Sequence, residues 1–138
     1  MCGIIGYYGI NSSKFAGESS LDLISHRGPD NQDSVKGDNY FLGHTRLSIQ
    51  DISESANQPM ISKDKSCILV FNGEIFNQVD LRESFLDDID FETTGDTETL
   101  LYGLKKYGEE FVHKLNGIFA FSFFNVSTGD FIISKDHF

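Results

Sequence analysis

The stretch GIFAFSFFN, residues 117–125, is the strongest constraint on the fold, because both of its alternating faces are apolar. A strand with one wet face alternates apolar and polar residues. This run interrupts its phenylalanines with a single serine, so it predicts a strand covered from both sides. One chain of 138 residues must supply both covers, and a chain of that length can bury a real core within one domain. The aromatic supply is 13 Phe and 5 Tyr with no Trp, and its late cluster marks the core.

The remaining pattern supplies strands and helices in a mixed order. CGIIGYY, residues 2–8, is rich in Ile and Tyr between glycines and predicts a strand. SSLDLIS predicts a short helix capped by Ser19 or Ser20, stopped by the turn chemistry of Gly28-Pro29-Asp30. Residues 39–49 predict a strand, and SCILVFNGEIFN a second one entering Asn72-Gly73, a dipeptide that signals a hairpin. VDLRESFLDD predicts a helix. GDTETLLYGLKKYG predicts a clearer one, with Asp96 or Thr97 as cap, Gly108 as stop, and Leu100, Leu101, Leu104 and Tyr107 on one face. EEFVHKL adds a further helical turn or two, and NVSTGD turns the chain from the Phe-rich strand into FIISKD. There is no linker, internal repeat or low-complexity segment. The expected class is α+β: sheets packed together with helices outside.

Charge and cysteine usage exclude several classes of function. The formal net charge is −10, from 11 basic and 21 acidic residues, and no basic run occurs. Nucleic acid and anionic membrane are therefore poor partners. No apolar stretch is long enough to span a bilayer, and the N-terminus carries no basic-then-apolar signal. A reduced, cytoplasmic location is expected, without a disulfide, and Cys2 and Cys67 show no metal-ligand spacing.

Several residues could carry chemistry, and each also has a plainer structural reading. Cys2 is either a buried strand thiol or a nucleophile; removal of Met1 would leave the α-amine of the same residue as its base. Asn72-Gly73 is either a hairpin turn or a pair of donors, one side-chain amide and one unobstructed N–H, for an oxyanion. Arg46, inside an apolar strand, either meets a structural carboxylate or awaits an anionic ligand. Asp96 is simplest as a helix cap, Glu74 as a solvated residue, and Cys67 as a buried, inert thiol. His26, His44, His113 and His137 form no metal or triad spacing and receive no catalytic role.

In combination the segments MCGIIGYYG, SHRGPDNQ, GHTRLSIQD, ANQPM, FNGEIFN, GDTETLL and LNGIFAFSFFN resemble, in this order, the class II glutamine amidotransferase domain. HRGPD, GHTRLSI and NGEIFN together are similar to the glutaminase domain of the asparagine synthase family. Gln50 stands where the family usually has an aliphatic residue, and EIFN replaces a commoner Tyr version. The resemblance covers residues 1–138 as one amidotransferase domain and implies an N-terminal-nucleophile hydrolase fold, an αββα four-layer sandwich. It implies Cys2 as nucleophile with its own α-amine as base, and Asn72 and Gly73 as the oxyanion hole. Arg46 would hold the α-carboxylate of glutamine, Asp96 its α-ammonium helped by Glu74, and backbone groups near Ile49 would complete the pocket.

The family's domain continues past SKDHF, so the chain is expected to be truncated, its sheets incomplete at the C-terminus. No metal or cofactor is expected at the glutaminase site; ATP and Mg belong to a synthetase domain that is absent here. That domain would use the ammonia to amidate aspartate. The alternatives are a relative amidating another carboxylate, such as a sugar acid in surface-polysaccharide synthesis, or a non-catalytic fragment.

Overall fold

A computed structural model describes residues 2–9, 14–48 and 53–137. Strands β1 (Gly3–Tyr8), β2 (Asn31–Lys36) and β3 (Tyr40–Arg46) form one antiparallel sheet in the order β1-β3-β2. Strands β4 (Met60–Ile61), β5 (Cys67–Ile75), β6 (Gly117–Asn125) and β7 (Phe131–Lys135) form a second, in the order β4-β5-β6-β7.

The Phe-rich run is covered from both sides, as its pattern requires. Phe119, Phe121 and Phe123 of β6 join Leu69, Phe71 and Ile75 of β5 in a cluster sealed by helices α2 (Gln78–Phe85) and α3 (Asp96–Tyr107). Leu81, Leu100, Leu101 and Leu104 are their contribution. On the opposite face, Phe124 joins Ile68, Val70 and Leu42 of the facing sheet, with Ile4, Val35 and Tyr40 packed against them. The serine in the run has a reason. Ser122 lies where the sheets approach closely: a Cβ on Gly6 of β1 would stand 2.3 Å from its Oγ. Helix α1 (Gly17–Leu23) covers the outer face of the first sheet, with Leu21 against Gly43 and Gly17 against the Phe41 ring. The layers are therefore helix, sheet, sheet, helix: the αββα arrangement expected.

The structure departs from the sequence expectations in five places. Asn72-Gly73 is no hairpin: β5 runs straight through it, with Asn72 opposite Ala120 and Gly73 opposite Phe119. A long ladder to β6 outweighs a local turn preference, and the turn comes after Ile75 instead. Helix α3 has Gly95 at its N-cap, which has no side chain to cap with, and Asp96 stands inside the first turn, its carboxylate accepting from Ile75 N–H. Helix α1 has Ala16 at that position, and Ser20 Oγ donates to the Ala16 carbonyl at 2.8 Å from inside the helix. NQDSVK forms β2, an edge strand too polar to stand out by pattern. Strand β3 ends at Arg46, and Ile49 and Gln50 lie outside the described residues. Gly108 does stop α3, at φ +59°, and a 3-10 helix, Gly108–Lys114, follows it.

Candidate active site

Strand alternation decides which side chains meet between the sheets. On β3 the residues facing the second sheet are Tyr40, Leu42, His44 and Arg46. On β1 they are Ile4 and Gly6, and Cys2, one step before the strand, continues that row. On β5 they are Ile68, Val70, Asn72 and Glu74. The register sets Ile4 opposite His44 and Gly6 opposite Leu42. One end of this space is filled by the apolar cluster. At the other end a cavity of about 320 Å³ opens, lined by Cys2, Arg46, Asn72, Gly73, Glu74 and Asp96 among others. Six of the seven residues singled out in the sequence thus line one cavity; the seventh, Ile49, lies outside the described residues.

Cys2 is held at three points. Arg27 Nε donates to its carbonyl at 3.0 Å, Leu47 N donates to Sγ at 3.4 Å, and Sγ faces the Leu47 carbonyl at 3.7 Å. The thiol is half-buried and, like Cys67, free of any disulfide. Cys67 is fully buried, and burial pushes its thiol up, away from the reactive thiolate.

The donors on β5 follow from the ladder. Phe71 N–H is taken by Gln58 Oε1 at 2.6 Å and Ile75 N–H by Asp96 Oδ2 at 2.8 Å, so the odd-numbered amides of this segment point away from β6. Gly73, between them, turns its N–H the same way, into the cavity that it lines. Only glycine fits there: φ is +155°, and a Cβ would lie 2.2 Å from the Ile118 carbonyl oxygen.

The charged residues surround these groups. Arg46 is 7 % exposed, and its Nη1 donates to the Ser53 carbonyl at 3.0 Å and to Asn57 Oδ1. Both oxygens are neutral, and these bonds orient the guanidinium. Asp96, at the start of α3, is buried; burial pushes its carboxyl up, the neighbouring Glu74 charge adds to this, and the N–H of Ile75 opposes it. Glu74 is exposed at the cavity mouth. Among the described residues no group of three or more potential metal ligands occurs.

A cysteine lining one cavity with two neutral donors, a cation and a buried carboxylate suits attack on the carbonyl carbon of a zwitterionic amide. The sequence matches the glutamine amidotransferase domain family over residues 1–138. The chain belongs to that family.

Relatives within this amidotransferase family differ in what they are called. The chain is 37 % identical to asparagine synthetase B of Escherichia coli and 36 % to an asparagine synthetase of Oryza sativa, with 99 % of its length covered in both. It is also 37 % identical, over 88 % of its length, to the amidase chyE of Penicillium rubens. It spans about a quarter of the length of the two synthetases (25 % and 23 %). Among solved structures, the glutamine phosphoribosylpyrophosphate amidotransferase of Bacillus subtilis superposes with a TM-score of 0.70 at 20 % identity. That match covers 99 % of this chain and 37 % of that one. This likeness establishes the N-terminal-nucleophile hydrolase fold.

The sequence reading of this amidotransferase domain passed over three residues that the structure brings to the site: Arg27, Gln58 and His44. Arg27 and Gln58 act through backbone groups far away in sequence, and no spacing signals such bonds. His44 was legible in principle, since it stands two residues before Arg46 on one strand and period two puts both on the same face.

Proposed function

We propose that this chain is a glutaminase, hydrolysing the side-chain amide of glutamine to glutamate and ammonia. The observation that carries the reading is the meeting of Cys2 with Asn72 and the inward N–H of Gly73 in one cavity. With Met1 removed, the α-amine of Cys2, of a type with an ordinary pKa of about 8, takes the thiol proton. Sγ then attacks the amide carbon, forming the C–S bond. The developing oxyanion accepts hydrogen bonds from Asn72 Nδ2 and Gly73 N. The protonated amine passes its proton to the leaving nitrogen, the C–N bond breaks, and ammonia departs. Water then adds to the γ-glutamyl thioester, restoring the thiol and releasing glutamate.

Arg46 pairs with the α-carboxylate, for which a guanidinium fork is suited, and Asp96 with the α-ammonium, assisted by Glu74 at the mouth. No metal or cofactor enters these steps. In the whole protein the ammonia serves a synthetase domain that amidates aspartate with ATP. The amidase chyE, 37 % identical over 88 % of this chain, shows that relatives with this domain are not all called asparagine synthetases, and the second reading is a different acceptor: another carboxylate, such as a sugar acid. A non-catalytic fragment is the remaining alternative.

The test joins intact mass to ammonia release, and the activity of the 138-residue chain by itself is expected to be weak. The expected result is a mass lacking Met1, ammonia from glutamine, and none from Cys2→Ala. Undiminished ammonia release by Cys2→Ala would overturn the mechanism.

A further inference from the structure

His44 forms a wall of the same cavity and takes no part in the steps above. Its side chain is fully buried, and neither ring nitrogen makes a hydrogen bond of normal geometry among the described residues, the Phe71 carbonyl being the acceptor near the ring. That is uncommon for buried polar atoms, and among the described residues Asn31 Oδ1 is the other such side-chain atom. Glu98, buried on the far side of β5, shows the ordinary case: its oxygens accept from Glu92 N, Thr93 N and Thr93 Oγ1. Burial lowers the His44 imidazole, the Phe71 carbonyl opposes this and the Arg46 charge adds to it, so that the ring is held neutral. A neutral ring offers one N–H and one lone pair.

The placement of these atoms matches one ligand chemistry. His44 lies opposite Ile4, one inward-facing row deeper than Cys2, on the sheet facing Asn72 and Gly73. A carboxamide whose oxygen lies on the β5 donors turns its nitrogen toward the β1–β3 side, where Cys2 and His44 stand. Its N–H groups can then donate to the ring lone pair. A carboxylate in the same place has no hydrogen to give, and its second oxygen would face that lone pair.

We propose that His44 is a specificity-determining residue: its ring lone pair accepts a hydrogen bond from the side-chain N–H of the bound carboxamide, so the site holds an amide and rejects the corresponding acid. The proposal rests on the glutaminase reading and adds to it the residue that separates substrate from product.

The experiment compares kcat/KM for L-glutamine with that for L-glutamate γ-methyl ester, which lacks the N–H, in the unsubstituted chain and in His44→Leu. Structural damage lowers both values together. Loss of the proposed bond lowers the amide-to-ester ratio by about tenfold or more; a ratio within twofold of the original overturns the proposal. Should His44→Leu not fold, the Cys2→Ala chain with 15N-labelled histidine is titrated with glutamine and with glutamate. Movement of a His44 ring-nitrogen resonance with glutamine and not with glutamate supports the bond, and an unmoved resonance at saturating glutamine overturns it. Hydrolysis of glutamine with an unaltered ratio defeats this proposal alone. Absence of hydrolysis by the unsubstituted chain defeats the glutaminase reading, and the proposal with it.

Discussion

Asp96 is under two demands that pull apart. As a buried carboxylate it costs the fold stability, and as the proposed partner of an ammonium it must be ionised. Its carboxyl is raised in the folded chain, so the native state holds its proton more tightly than the unfolded one. Stability therefore falls as pH rises from the ordinary carboxylate range through the raised value. Asp96→Asn keeps an oxygen for the Ile75 N–H and removes the charge. Its urea midpoint at pH 7 should equal or exceed that of the original, while KM for glutamine rises about tenfold or more. Lowered stability with unchanged KM would make Asp96 purely structural. His44 has the opposite sign: burial lowers it to about 4 from an ordinary 6.5. Between those values the unfolded chain binds a proton that the native chain refuses, so stability is lost as pH falls from 6.5 to 4. The full loss is about 3 kcal/mol. Urea midpoints measured across that window should vary less with pH in His44→Leu; equal slopes would contradict the assignment. At this scale the sequence pointed to Cys2, Asn72, Arg46 and Asp96, which line one cavity, through the family resemblance of the combined motifs, each residue alone having a plainer structural reading. It revealed their partners poorly, since Arg27, Gln58 and Leu47 reach the site through contacts remote along the chain.

Strand β5 is the element on which the site depends, and Gly73 is its tightest point. A methyl group there meets backbone, the Ile118 carbonyl, which has no rotamer to move aside. Gly73→Ala should cost more than about 3 kcal/mol in chemical denaturation. Gly108→Ala offers the contrast: φ is +59° but nothing lies within 4 Å, so it should cost only about 1–2 kcal/mol. Similar losses at the two positions would show that backbone angle alone governs both. Helix α3 was legible because its leucines repeat at helical spacing and Gly108 punctuates its end. Asn72-Gly73 misled because turn propensity is local, whereas β5 is held by its pairing with β6 along its whole length. Strand β2 was missed because NQDSVK has almost no apolar face to betray it.

The whole molecule consists of four layers with the cavity at one end of the inter-sheet space. The layering was legible, since a strand apolar on both faces leaves few alternatives. The cavity was not, because its lining comes from Cys2 just before β1, from β3, β5, β6 and α3, and from the loop carrying Gln58, which are remote from one another along the chain. Strands β5 and β6 carry the clusters on both faces of the second sheet, so their amides should exchange most slowly with solvent, and those of β2 and α1 faster. Protection spread evenly over all elements would contradict that order. No helix among the described residues is long and apolar enough to cross a membrane.

Attack by Cys2 on the carbonyl carbon of glutamine, as proposed, leaves a covalent intermediate on that residue, which acid-quenched mass spectrometry captures. The chain is mixed with glutamine, quenched within the turnover time, digested and mapped. The account predicts a γ-glutamyl adduct on the peptide beginning at Cys2, absent from Cys2→Ala and reduced about a hundredfold in its rate of formation by Asn72→Ala. Ammonia release with no adduct on Cys2, or with the adduct on Cys67, would contradict it.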